Sequence, residues 1–140
     1  MTTPVIAVLV FAIWTYLLLL FTVGWYRWSR ILTGRAPITS FKAVQPEGEA
    51  WYQRAMRAHA NCVENLPVFA AVVFAVYAAG INAPAINVLA AIVPVARIGQ
   101  SLVHVALPET SAVILVRFAF FFTQVICVLA MAVLLLLSIW

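Results

Sequence analysis

Four runs of apolar residues, near 4 to 26, 51 to 80, 84 to 107 and 110 to 139, take up most of this chain of 140 residues. Each is long enough to cross a hydrocarbon core, which needs about 20 helical residues. Only 9% of the residues are charged and 66% are hydrophobic, whereas a soluble domain carries about a quarter charged residues. The expected fold is therefore an all-α integral membrane protein, a single domain of four transmembrane helices at about 4–28, 50–80, 84–107 and 110–139. Connections this short place successive helices antiparallel and leave no room for a soluble module.

Charge placement orients the chain. Arg27, Arg30, Arg35, Lys42, Arg54 and Arg57 lie in or beside the linker 27–50, while the segment joining the second and third runs has no basic residue. The positive-inside rule makes the first loop cytoplasmic and puts both termini outside. The net charge of +4 then reflects topology and site chemistry, and nucleic acid is not an expected partner, since that would require a basic patch on a solvated surface. Met1 to Pro4 lacks the positive start of a secretory signal, so the first run is expected to be retained. Trp25, Tyr26 and Trp28 beside Arg27 and Arg30 form an interface anchor. Gly34, Pro37, Pro46 and Gly48 punctuate the loop, and Glu47 and Glu49 place negative charge where a helix N-terminus favours it. Pro67 and Pro94 fall inside spanning runs, where they read as packing kinks. Cys62 and Cys127 lie within helices and read as small hydrophobes; with no CxxC and no His/Cys cluster, no metal site is expected.

The second run opens with Arg54, Arg57, His59, Asn61, Glu64 and Asn65, followed by Pro67. Ionisable groups at that depth are unfavourable in lipid and commonly mark function. Residues spaced by three, four and seven share a helix face. Arg54, Arg57, Asn61 and Glu64 follow that spacing, as do Arg97, Gln100 or Ser101, and His104 on the third helix; Arg117 and Gln124 are seven apart on the fourth. All three polar stripes fall in the half of the membrane nearer the first loop, so they can converge. Two readings are open. The stripes are interhelical glue, at about 0.6 kcal/mol per hydrogen bond, or they hold a ligand. The charge count favours a ligand: Arg54, Arg57, Arg97 and Arg117 have only Glu64 as a deep acidic partner. Guanidinium forks match carboxylates bidentately. His104 near a helix end also fits a capping role, and His59 stands two positions off the stripe.

The segment Arg54 to Phe69, with the spacing Arg57-x3-Asn61-x2-Glu64-x2-Pro67, resembles the second-helix glutathione motif of the MAPEG family, the membrane-associated proteins of eicosanoid and glutathione metabolism. Length, four helices and a basic first loop agree with it. The resemblance implies a left-handed four-helix bundle assembled as a homotrimer, with sites between neighbouring subunits that open towards the cytoplasm. It implies glutathione as co-substrate, held by Arg57, Asn61 and Glu64, with Arg54 near the entrance, His59 close by, and Arg97, Gln100 and His104 supplied by the neighbour. A hydrophobic small molecule would arrive from the membrane lipids. An Arg aimed at the sulfur would stabilise the thiolate, the nucleophilic form of a thiol whose pKa is ordinarily about 8.5. The thiolate would then add to a lipophilic electrophile or reduce a lipid hydroperoxide. Departures from the family pattern are Gln100 and His104 where tyrosines are usual, Asn65 in place of an aromatic, and Ser111 about where the activating Arg stands, with Arg117 almost two turns deeper. Arg117 is therefore the candidate activator, with Arg97 and Arg30 as rivals. A membrane glutathione transferase is the first expectation. The alternative is a lipid-binding or scaffold protein without chemistry, a branch that departs from the Arg and Glu retained here; a transporter is disfavoured, because there is no inverted repeat.

Overall fold

The computed structural model describes residues 2–42 and 47–139. Met1 and Pro46, which entered the reading above, lie outside them. Four long helices follow one another: α1 over Thr3–Leu32, α2 over Ala50–Ala78, α3 over Pro84–Ala106 and α4 over Ser111–Ile139. All four are long and apolar enough to cross a membrane, and the described residues contain no strand. The chain is a multi-pass integral membrane protein.

α1 runs four residues beyond the expected 28, to Leu32. Its ladder widens to a π-helical turn over Leu19–Gly24, where the Thr22 hydroxyl donates to the Leu18 carbonyl. Gly24 suits that turn, because a Cβ there would sit 3.2 Å from the Leu19 carbonyl oxygen. Beyond the turn, Tyr26 faces inward while Trp25 and Trp28 are exposed. That arrangement fits an interface anchor.

α2 ends at Ala78 rather than Gly80. Gly80 adopts φ +67°, the left-handed conformation that stops helices, and the Ile81 N–H bonds back to the Val76 carbonyl at 3.2 Å. Pro84 then opens α3 at its first turn, where its missing N–H is no loss. Both α2 and α3 continue through their internal prolines, Pro67 and Pro94.

α3 is the central helix. It packs on α1, on α2 and most extensively on α4, whereas α2 and α4 meet only sparsely. The core follows the helical period: Ala7, Phe11 and Leu18 on α1 meet Phe69, Val73 and Val76 on α2, Ile86, Ala90 and Val93 on α3, and Met131 on α4. Gly99 lets α3 and α4 approach, for a Cβ there would lie 2.9 Å from the Phe120 ring. The sparse α2–α4 contact leaves an opening between those helices with α3 behind it. The polar stripes are found there.

Candidate functional site

The three stripes do converge. A small cleft is lined by Asn61 of α2, Gln100 of α3, and Ile114, Arg117, Phe118 and Phe121 of α4. At its water-side edge, Glu109 from the α3–α4 link accepts from two cations: its Oε1 lies 3.0 Å from Arg57 Nη1 and 3.4 Å from Arg117 Nη1. Arg54 stands one turn earlier on α2 and donates through Nε to the Val105 carbonyl at 3.2 Å. That carbonyl is in the last turn of α3, where oxygens lack helical partners and attract positive charge. His104, buried on α3, lies within the field of Arg117, Glu109, Arg57 and Arg54 together.

Glu109 was not among the residues singled out from the sequence, where Glu64 was taken as the one acidic partner. Its signal was present. Pro108 ends α3 at the membrane edge where Arg57 lies, and Glu109 precedes Arg117 by eight residues, just over two helical turns. The charge count therefore changes: Arg57 and Arg117 are paired with Glu109, and Glu64 forms no ion pair among the described residues.

Deeper in the bundle, Gln100 and Gln124 are both buried and joined. Gln124 Nε2 donates to Gln100 Oε1 at 3.1 Å, and Gln100 Nε2 donates to the Arg117 carbonyl at 3.2 Å. Arg97 is 1% exposed; its guanidinium stands 5.4 Å from the Phe11 ring, and its Nε and Nη2 have no hydrogen-bond partner among the described residues. Its neighbours on α2 include Cys62 and Glu64. Cys62 lies 3.6 Å from the Ser101 hydroxyl, which in turn donates to the Arg97 carbonyl. A buried cation with unused donors is a place where an anion is favoured. His104 Nε2 is likewise buried without a partner among the described residues.

Arg30 is placed elsewhere. Within its own chain it pairs with Glu49 and lies over the Tyr26 ring, 3.7 Å from the centroid. Tyr26 stacks on Tyr52 at 4.0 Å, and Arg27 donates through Nε to the Tyr52 hydroxyl at 2.8 Å. These contacts clasp the end of α1 to the start of α2. Glu49 immediately precedes α2, but its carboxylate makes no cap to the helix amides; it accepts from Arg30 and from Trp51 Nε1 instead. Those two donors, Trp51 first, hold its carboxyl below the usual carboxylate range. His59 is half-buried on α2 and makes no side-chain hydrogen bond among the described residues. Asn65 donates to the Asn61 carbonyl at 2.7 Å.

Four spanning helices with a convergent Arg-rich cluster are the frame in which the spacing of Arg57, Asn61, Glu64 and Pro67 has to be judged. The model of the MAPEG family matches residues 4–137. The chain belongs to the MAPEG family. Its four long apolar helices are consistent with a MAPEG membrane bundle, and membership places it among membrane proteins of glutathione and eicosanoid metabolism, a group with glutathione transferases and some non-catalytic members. No curated protein and no solved structure gives a significant match.

Proposed function

We propose that this MAPEG protein is a membrane-bound glutathione transferase. The observation that carries the reading is the meeting of Arg57 and Arg117 on one carboxylate oxygen of Glu109. Two guanidiniums from different helices are already arranged around a carboxylate, the group glutathione carries at both ends. A ligand carboxylate exchanging with Glu109 would meet the same geometry. Asn61 beside Arg117 offers an amide to the peptide, and Glu64, exposed and without an ion pair among the described residues, is suited to an ammonium. Arg54, His59, Gln100 and His104 would complete the surroundings.

Arg117 is the proposed thiol activator. It lines the cleft on the side of the apolar residues Phe118 and Phe121, so a sulfur near it would be shielded from water, and the cation would hold it as thiolate. Arg97 is the deeper rival. Arg30, held by Glu49 in its own chain, would act only from a neighbouring copy.

A neighbouring copy is part of the proposal. Arg57, Ala60, Glu64, Pro67, Ala71 and Phe74 form an exposed face of α2. A charged side chain at the centre of a lipid-facing helix is unfavourable by about 2.5 to 3.5 kcal/mol on insertion scales. A homotrimer, with the left-handed bundle and the cytoplasm-facing site that the family resemblance implies, would cover that face; the α3 stripe of Arg97, Gln100 and His104, expected to come from the neighbour, is instead buried within its own subunit. The hydrophobic acceptor, an electrophile or a hydroperoxide, would come from the lipid.

The test is glutathione binding to the detergent-solubilised protein by calorimetry. Saturable binding that Arg57→Ala weakens about 10- to 100-fold, the loss expected for charge-assisted bonds, supports the site. Binding unchanged by that substitution removes it, and no binding at all favours the lipid-binding scaffold.

A further inference from the structure

Arg27 and Arg30, beside Trp25 and Trp28, mark where α1 leaves the hydrocarbon core. Apolar side chains continue past them. Leu32 follows Trp25 and Trp28 at helical spacing and is 80% exposed, and Ile38, on the short 3₁₀ turn Ile38–Ser40, is 67% exposed. The link that carries Ile38 is tied to the end of α1. The Arg35 and Ala36 amides donate to the Arg30 carbonyl at 2.9 and 3.3 Å, and Phe41 packs edge-on against Tyr26 at 6.5 Å, with the Arg27 guanidinium 5.6 Å from the Phe41 ring. The same link has more positive charge than the chain's acids can balance. Of the four acidic residues, Glu49 pairs with Arg30, Glu47 with Lys42, and Glu109 with Arg57 and Arg117, while Glu64 neighbours Arg97. Arg35 is exposed and has no carboxylate partner among the described residues. Arg27 donates to uncharged groups, the Tyr52 hydroxyl at 2.8 Å and the Met56 sulfur at 3.4 Å. The Lys42–Glu47 pair is highly exposed, and such a pair is weak enough to exchange for another anion.

We infer that the end of α1 and the link that follows it form a binding surface for anionic phospholipid, with Leu32 and Ile38 in the lipid at headgroup depth and Arg35 and Lys42 on the phosphate. Exposed apolar residues set among basic ones are the pattern of a segment that lies in the membrane interface. Charge then selects the headgroup. A zwitterionic lipid offers the same acyl chains but balances its phosphate with its own ammonium, whereas an anionic lipid supplies the charge that Arg35 lacks, an attraction of about fivefold in association per cation. The inference is independent of where glutathione binds, since Leu32, Arg35, Ile38 and Lys42 lie outside the polar cleft.

The experiment uses the intact protein in bilayers of phosphatidylcholine, with a trace of phosphatidylglycerol or phosphatidylcholine carrying a nitroxide on its acyl chain. The fraction of each probe that the protein immobilises gives their relative association. Phosphatidylglycerol should be preferred about fivefold at low salt, and less as salt screens the contact. Arg35→Gln with Lys42→Gln, both at exposed positions, should cut that preference about threefold or more, and Arg35→Lys should keep it, since charge and not the guanidinium shape is read. Depth is read separately by a nitroxide on Ile38→Cys, which labels selectively because Cys62 and Cys127 are buried. In bilayers of phosphatidylcholine and phosphatidylglycerol it should be relaxed by oxygen more than by a water-soluble nickel chelate. Equal association of the two lipid probes, or a preference that the double substitution leaves unchanged, overturns the inference. So does a nitroxide at position 38 that is open to the chelate, which would put the link in water, or closed to both relaxants, which would bury it against another protein surface.

Discussion

Glu109 joins Arg57 and Arg117 on one carboxylate oxygen, and in the proposed function it competes with the ligand carboxylate for them. Its carboxylate holds Arg57 and Arg117 in the absence of an anionic ligand, and since both pairs are partly exposed each contributes about 0.2 to 1 kcal/mol. Glu109→Gln should therefore tighten glutathione binding about two- to fivefold, read by calorimetry at low salt; weaker binding would mean that Glu109 supports the ligand instead of standing in for it. At this scale the sequence was only partly legible. The spacing of Arg57, Asn61 and Glu64 marks the α2 motif, because helical periodicity puts them on one side. Periodicity could not reveal Glu109, which lies in a link between helices, nor that Arg54 would cap the Val105 carbonyl. Such contacts depend on where α3 ends relative to α2, and nothing within either helix encodes that distance.

Between elements, two contacts set the geometry. The clasp of Arg30, Tyr26, Glu49 and Trp51 joins α1 to α2. The Glu49 carboxyl is held below its ordinary value of 4.5, so the clasp is at full strength above that pH and is lost as pH falls through the lower, folded value. Limited proteolysis of the loop carrying Arg35 and Lys42 should accelerate below pH 4.5 in the wild type, and Glu49→Gln should show the fast rate already at neutral pH. A wild-type rate independent of pH would remove the clasp from the account. The second contact is Gly99 against Phe120. Gly99→Ala gains helix propensity of about 1 kcal/mol against an overpacking cost of about 1 to 3 kcal/mol, so it should be near neutral or mildly destabilising. Gly99→Leu should lower the thermal midpoint in detergent clearly, and an unchanged midpoint would mean α3 and α4 separate easily. The four helices themselves were legible from their apolar length, but not all their ends, since α1 runs on to Leu32 and α2 stops at Ala78. The π-helical turn at Leu19–Gly24 was not, since its residues carry no period that differs from an ordinary apolar helix.

For the whole molecule, the membrane bundle and MAPEG membership rest on the sequence and fold together, while the proposed assembly rests on what a lone chain leaves uncovered. Native mass spectrometry from detergent should give three copies; a monomer that binds glutathione with full affinity would refute the shared site. An arginine cluster in this bundle is proposed to bind glutathione and to hold its sulfur as thiolate. The most direct test is an ultraviolet difference titration of the purified protein with glutathione at neutral pH. A saturable thiolate absorbance that Arg117→Ala removes, while binding persists, is the predicted result; saturable binding with no thiolate signal in the wild type would contradict it.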